Sequence, residues 1–223
     1  MITDRQIKLV IGSLLHDIGK VVYRSGDGRN HSQSGYEYLK TEAKIFDQNI
    51  LNCVRFHHGK NLRTAQVADD DLSYLTYYAD NIAAFTDRRE AEEGEGGFDK
   101  TVPLDSVFNI LNGNHEKKHY AMQVLDPHAG INYPTDQPVS MDEHFYQSVI
   151  QNITENLRGI TLDEEYINSL MAVMEANLTY IPSSTSKAEL ADISLYDHVK
   201  LTAAIAACIY CLLYTSDAAD DKA

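Results

Sequence analysis

An apolar helical stripe that runs straight into a His–Asp pair constrains this chain more than anything else in it. Ile7, Val10, Ile11, Leu14, Leu15 and Ile18 recur at helical spacing behind Thr3-Asp4-Arg5-Gln6, which has the Ser/Thr-x-x-Glu/Gln form of a capping box. Gly19 is placed to stop the helix. A helix of about four turns then buries one face and presents His16 and Asp17 at its end. An ionised carboxylate on an otherwise apolar helix is costly to bury without a partner. With an imidazole beside it, the pair suits a hard-to-borderline divalent metal. Asp17 has two oxygens and can bridge two ions.

Further donors are scattered along the chain. His31 lies in a polar stretch just before Ser32-Gln33-Ser34, which can cap the next helix. His57-His58 close a helix carrying Ile50, Leu51, Cys53, Val54 and Phe56, and at least one of the pair is expected to ligate. Behind Asp69-Asp70-Asp71, the stripe Leu72, Leu75, Ala79, Ile82 and Phe85 marks another helix. Asp80 projects from its flank among Thr76, Ala83 and Ala84, where small neighbours leave room for another group to approach. Lys20 and Lys60 follow the donors closely and are candidates to hold a phosphate. His198 lies in the last helix, on a face read as Leu201, Thr202, Ile205, Cys208 and Leu212; taken alone it is a core histidine.

The remaining pattern is mostly α. Leu104–Leu111 reads as a short helix closed by Asn112-Gly113-Asn114, and 120–134 as a small β-hairpin. Helices follow over Glu143–Leu157 and Asp163–Leu178, and Ser194-Leu195-Tyr196-Asp197 opens the last one. The acidic, Gly-rich Glu90–Gly97 stretch reads as a mobile surface loop. No internal repeat or second domain boundary is evident. We expect one domain over 1–213, closed by a helix at 194–213, with 214–223 a non-native tail in which an apolar helix turns abruptly into small and acidic residues.

Composition narrows the class. No run of about 18 apolar residues is present, which argues against a membrane span, and the N-terminus lacks a signal-peptide layout. Three cysteines cannot build a disulfide framework, so cytoplasmic residence is the default. The net charge of −14 argues against nucleic acid until its distribution is read. Residues 1–63 carry ten Lys/Arg against six Asp/Glu, so the positive excess sits where the donors cluster, and a phosphate-bearing substrate stays in play. Three other patterns lack their structural setting. His115-Glu116-Lys117-Lys118-His119 matches the zincin string without an apolar helix, and Cys208-Ile209-Tyr210-Cys211 reads as core packing. Gly96-Gly97-Phe98-Asp99 lacks flanking strands.

Leu15-His16-Asp17-Ile18-Gly19-Lys20 resembles the motif of the HD phosphohydrolase superfamily. Tyr23-Arg24, His31-Ser32 with Gly35, His57-His58, Tyr78–Ala83 and Asp192–Ala204, in that order, resemble one branch of it. That branch is the N-terminal HD domain of the large signature subunit of type III-A CRISPR effector complexes. The resemblance implies a circularly permuted HD-domain helical bundle in which the helix bearing Asp197-His198 contributes to the site. It implies metal ligation by His16, Asp17, His31, His57 or His58, Asp80 and His198, with His16, Asp17 and Lys20 in catalysis. It implies two transition-metal ions (manganese, nickel or cobalt) and cleavage of single-stranded DNA. The implied partners are CRISPR RNA, other effector subunits and an activating target RNA, with no membrane; the family's downstream palm domains are absent here. Fourteen tyrosines offer stacking surface for a single strand, though most are expected to pack. An HD hydrolase of nucleotides or cyclic dinucleotides, and an inert HD scaffold, are the competing readings.

Overall fold

The capping box at Thr3 forms as the sequence predicts. The Thr3 hydroxyl accepts from the Gln6 N–H at 3.2 Å and the Gln6 side chain accepts from the Thr3 N–H at 2.9 Å, opening α1 (Asp4–Leu15). In this computed structural model, which describes residues 2–87, 97–140 and 142–220, α1 does not run on to Gly19. The chain breaks at His16 and Asp17, with Asp17 at φ −103° and ψ 9°, and restarts as α2 (Ile18–Arg24). Gly19 is therefore not a stop but a point of close approach. A Cβ there would overlap the carbonyl oxygen of His31 and lie 2.6 Å from the Gly35 amide nitrogen. Only glycine lets α2 lie this close on α3 (His31–Thr41). Asn30 caps α3, its side chain accepting from the Gln33 N–H, so His31 is the first helical residue rather than a loop residue.

Asp47 caps α4 (Gln48–Phe56), and α5 (Gly59–Thr64) follows after His57-His58. α6 spans Leu72–Asp87, a 3₁₀ turn covers Val107–Asn112, and Gly113 closes it at φ 68°. Asp142 and Asp163 cap α7 (Glu143–Leu157) and α8 (Glu164–Leu178), both helices the sequence predicts. The last helix, α9, runs from Leu195 to Asp220, past the boundary at 213 without a break. At its start the Asp197 N–H donates to the Ser194 hydroxyl at 3.0 Å. In place of a regular hairpin over 120–134, His119 and Thr135 exchange both backbone hydrogen bonds at 2.9 Å as one isolated antiparallel bridge. The Glu90–Gly97 stretch, apart from Gly97, lies outside the described residues.

The main core is built from Ile11, Leu14, Leu15 and Ile18 meeting α3, α4, α7, α8 and the start of α9. A smaller core joins Leu9, Cys53, Leu72 and Ala79 to Ala206 and Tyr210. α1 packs on α4 and α9, and α6 packs on α9 and α4, so the middle of the bundle is made of α1, α4, α6 and α9.

Two predicted stripes are rotated in the structure. On α6 the predicted Leu72, Leu75 and Ala79 are buried together with Thr76, Asp80 and Ala83, while Ile82 and Phe85 face outward, Phe85 at 92% exposure. On α9 it is Leu195, His198, Val199, Thr202, Ala206 and Tyr210, while Cys208, Cys211 and Leu212 are exposed. Small side chains on the facing sides let α6 and α9 approach closely, and that outweighs the greater hydropathy of the outward residues. The two cysteines are therefore not core residues. Over Leu195–Tyr214 α9 is, by length and composition, apolar enough to cross a membrane, at a mean hydropathy of 1.3, which corrects the estimate from the sequence. Its apolar face is used against α1, α6 and α8.

Candidate metal centre

Helix ends deliver most of the site. His16 is the residue after α1, and its Nδ1–H donates to the carbonyl of Ser13 at 2.7 Å. His57 repeats this at the end of α4, Nδ1 to the Val54 carbonyl at 2.7 Å. A carbonyl can only accept, so both rings carry a proton on Nδ1 and turn Nε2 inward. That is the usual support of a metal-binding imidazole. Asp17 occupies the break between α1 and α2, fully enclosed. Asp80 comes from the middle of the buried face of α6, His198 from the first turns of α9, His31 from the start of α3, and His58 from the residue before α5.

These donors fall into two groups, in each of which all ligand atoms lie within 4.8 Å of one another. In the first, His16 Nε2 is 3.4 Å from Asp17 Oδ2 and 3.5 Å from Asp80 Oδ1; His198 Nε2 is 3.4 Å and 3.2 Å from the same two oxygens. Such separations are long for hydrogen bonds but suit ligands about 2.0–2.2 Å from a shared ion. In the second group His31 Nε2 lies 2.6 Å from His58 Nε2 and 3.3 Å from His57 Nε2. Asp17 faces both, Oδ2 toward the first group and Oδ1 toward His31 and His57 at 3.6 and 3.7 Å. Buried His16 Nε2 and Asp17 Oδ1 have no hydrogen-bond partner, an arrangement a polar interior tolerates where a cation completes it. The residues present fit a divalent metal site.

The electrostatics agree. Burial disfavours the His16 imidazolium, but the carboxylates of Asp17 and Asp80 outweigh it and push its pKa up to about 9. Burial likewise opposes ionisation of Asp17, yet Lys20 and His16 hold it well below the usual carboxylate range. Asp80 is depressed against burial by His16 and His198. Burial lowers His31 to about 4 and pushes His57 and His58 down as well, so those rings stay neutral bases at pH 7.

The centre opens into a cavity of about 440 Å³. Lys20 lies on its wall, its Nζ 2.6 Å from Asp17 Oδ2 and donating to the Ser183 carbonyl at 2.8 Å. Lys60 is exposed and does not line the cavity. The His115–His119 string is irregular and outside the site, with His119 hydrogen-bonded to the Gln137 carbonyl. Sequence reasoning missed several contributors to the cavity wall, among them buried Arg24, the Ser183–Ser186 strap, Glu189 and Phe98. Arg24 was legible only inside the Tyr-Arg motif, and the strap carries no local signal beyond its Pro-Ser break.

A bundle of helices converging on an adjacent, buried His–Asp pair, with further His and Asp donors around it, defines a candidate metal-binding domain of the HD type. A family model described as the HD domain matches residues 2–85. The chain is 38% identical over 218 residues to the CRISPR system single-strand-specific deoxyribonuclease Cas10/Csm1 (subtype III-A) of Enterococcus italicus, covering 93% of this chain and 29% of that protein. It is 34% identical over 245 residues to the protein of the same name from Mycobacterium tuberculosis, covering 97% and 30%. Among solved structures it matches Csm1 of T. onnurineus (TM-score 0.69, 26% identity, 93% of this chain and 28% of that one). It also matches a Csm1–Csm4 cassette in complex with cA4 (TM-score 0.68, 27% identity, 92% and 28%). Over most of its length the chain is thus similar to one part of the Cas10/Csm1 proteins of subtype III-A, and the HD-domain model falls on its first helices. It spans a little under a third of the length of the curated relatives it matches.

Proposed function

We propose that this chain is the nuclease domain of a type III-A CRISPR effector subunit, hydrolysing phosphodiester bonds of single-stranded DNA with divalent metal. The observation that carries this reading is the division of Asp17 between the two donor groups. His16, Asp17, Asp80 and His198 would hold one ion and His31, His57 and His58 a second, with Asp17 shared. Imidazole and carboxylate donors together suit a first-row transition metal, and the resemblance to the HD superfamily implies manganese, nickel or cobalt. When bound, such ions supply Lewis acidity and neutralise charge on the reacting phosphate.

The chain's own residues prepare that chemistry. Ser13 and Val54 carbonyls fix the tautomers of His16 and His57. Lys20 keeps Asp17 ionised and brings an ammonium to the cavity wall, where a phosphate oxygen can meet it. The names of the relatives support the single-stranded substrate. Other effector subunits, a CRISPR RNA and an activating target RNA are the partners we propose, the first supported by the Csm1–Csm4 structures.

The test is a cleavage assay of the full chain with manganese on single-stranded DNA, duplex DNA, mononucleotides and cyclic dinucleotides. Cleavage of the single strand is expected, abolished by chelation and reduced by at least about 10³-fold in Asp17→Ala, which removes a shared metal donor. Hydrolysis of nucleotides alone would replace this reading with a nucleotide hydrolase. No hydrolysis of any substrate would leave a scaffold.

A further inference from the structure

The cavity has an aromatic rim that the metal centre does not use. Phe98 lines the same cavity as Asp17, Lys20, His31, His58 and Asp80, yet it is 76% exposed. Its backbone is fixed. Phe98 bridges antiparallel to Ser186, the Asp99 N–H donates to the Thr185 carbonyl at 2.9 Å, and the Lys187 N–H donates to the Gly97 carbonyl at 3.0 Å. The strap it pairs with is itself pinned to α2. Lys20 donates to the Ser183 carbonyl and buried Arg24 to the Pro182 carbonyl, each at 2.8 Å. A continuous set of bonds therefore links the Phe98 backbone to Lys20, whose ammonium touches Asp17.

A large apolar ring left in water at the mouth of a polar cavity, lined by Lys20 and Arg24 as well as by the carboxylates of Asp17, Asp80 and Glu189, is not explained by burial in the core. The other phenyl-type ring lining the cavity, Tyr23, has the Lys100 ammonium 3.6 Å from its centroid, so one of its faces is taken. Lys20 and Arg24 line the same cavity, held to the strap by the Ser183 and Pro182 carbonyls. Cations and metal donors suit a phosphate, and an open aromatic face suits a base without selecting among bases.

We infer that Phe98 is a substrate-binding residue, the platform on which a base of the bound single strand stacks beside the scissile phosphate. This rests on the nuclease reading above and adds to it the residue that favours an unpaired strand. A base inside a duplex has both faces stacked and cannot use such a platform without being extruded.

The experiment compares the full chain with Phe98→Ala and Phe98→Trp on single-stranded oligonucleotides, measuring KM and kcat with manganese and Kd in chelator. Circular dichroism confirms that each variant is folded, as an exposed position allows. Phe98→Ala should weaken Kd and raise KM roughly 5- to 150-fold with kcat little changed, the range that one lost base–aromatic stack produces. Phe98→Trp should restore binding. An oligonucleotide made abasic at single positions supplies the readout a structural role would not move. At one position next to the cut the wild type should lose as much as Phe98→Ala loses, and the variant should lose nothing further. Equal KM and Kd for wild type and Phe98→Ala, or abasic losses that add at every position, would overturn the inference while leaving the nuclease reading intact. A wild-type chain that cleaves no single strand would remove the nuclease reading itself, before any variant is compared.

Discussion

Asp17 turns one oxygen toward His16 and His198 and the other toward His31 and His57, so the two sides of the centre titrate in opposite directions. On the carboxylate-rich side His16 is raised to about 9 and is therefore protonated at pH 7.5 without metal. On the imidazole side burial lowers His31 to about 4 and depresses His57, so both are already neutral there. A metal accepts only the neutral nitrogen, so binding at pH 7.5 should expel the proton held by His16. Below about pH 9 protons compete for that nitrogen, and affinity should rise with pH between about 7 and 9 before levelling off. Titration calorimetry with manganese in buffers of different ionisation enthalpy reads the proton count directly. A count near zero would place His16 neutral at the start and contradict the role given to its carboxylate neighbours. His16→Gln should abolish the pH dependence as well as weaken binding.

Helix ends and one close helix contact, more than helix interiors, position the donors. Gly19 shows this most plainly, because the space its missing side chain leaves is filled by the backbone of His31 and Gly35. Gly19→Ala must push α3 away from α2, a forced overpacking of about 1–3 kcal/mol. His31 would move with it, so cleavage should fall by more than the stability loss explains. Gly28→Ala, where a Cβ meets nothing within 4 Å, is the matched control and should change stability by less than about 0.5 kcal/mol. Denaturant melts of the two variants, set beside their activity, separate the effects; equal outcomes for both would refute the close-contact argument. The same elements mark how far sequence carries. Caps are local, and Thr3 and Ser194 were readable because each bonds a backbone amide within a few residues. The His16-Asp17 pair and Asp80 were readable because charge on an apolar helix demands a partner. The rotation of α6 and α9 was not, since the small and polar faces of Thr76, Ala79, Asp80, His198 and Thr202 are buried by each other's closeness rather than by hydropathy. Phe98 and the Ser183–Ser186 strap were invisible because the bond between them spans nearly ninety positions and follows no periodicity.

At the scale of the whole molecule, the centre ties distant parts of the chain to one point. His16, Asp17 and Asp80 belong to the first half, His198 to the helix that closes the bundle, and α9 packs on both α1 and α6 around them. Without metal the interior buries His16 Nε2 and Asp17 Oδ1 with no hydrogen-bond partner, a destabilising arrangement. An ion that binds the folded chain and not the unfolded one shifts stability by about 2.7 kcal/mol at a hundredfold excess over Kd. For a chain of this size that corresponds to a rise in Tm of roughly 5–10 °C. Manganese should produce such a rise, chelator should reverse it, and Asp17→Asn should lose most of it. Because α9 supplies His198 from its buried face, the protection should extend to α9 and appear as slowed amide exchange over Leu195–Tyr210 on metal addition. His198→Ala would keep the remaining donors of the first group, so part of the thermal shift should survive while the slowed exchange of α9 is lost. A full thermal shift with α9 exchange unchanged by metal, in the wild type, would mean that α9 is held by packing alone and that His198 does not share the ion.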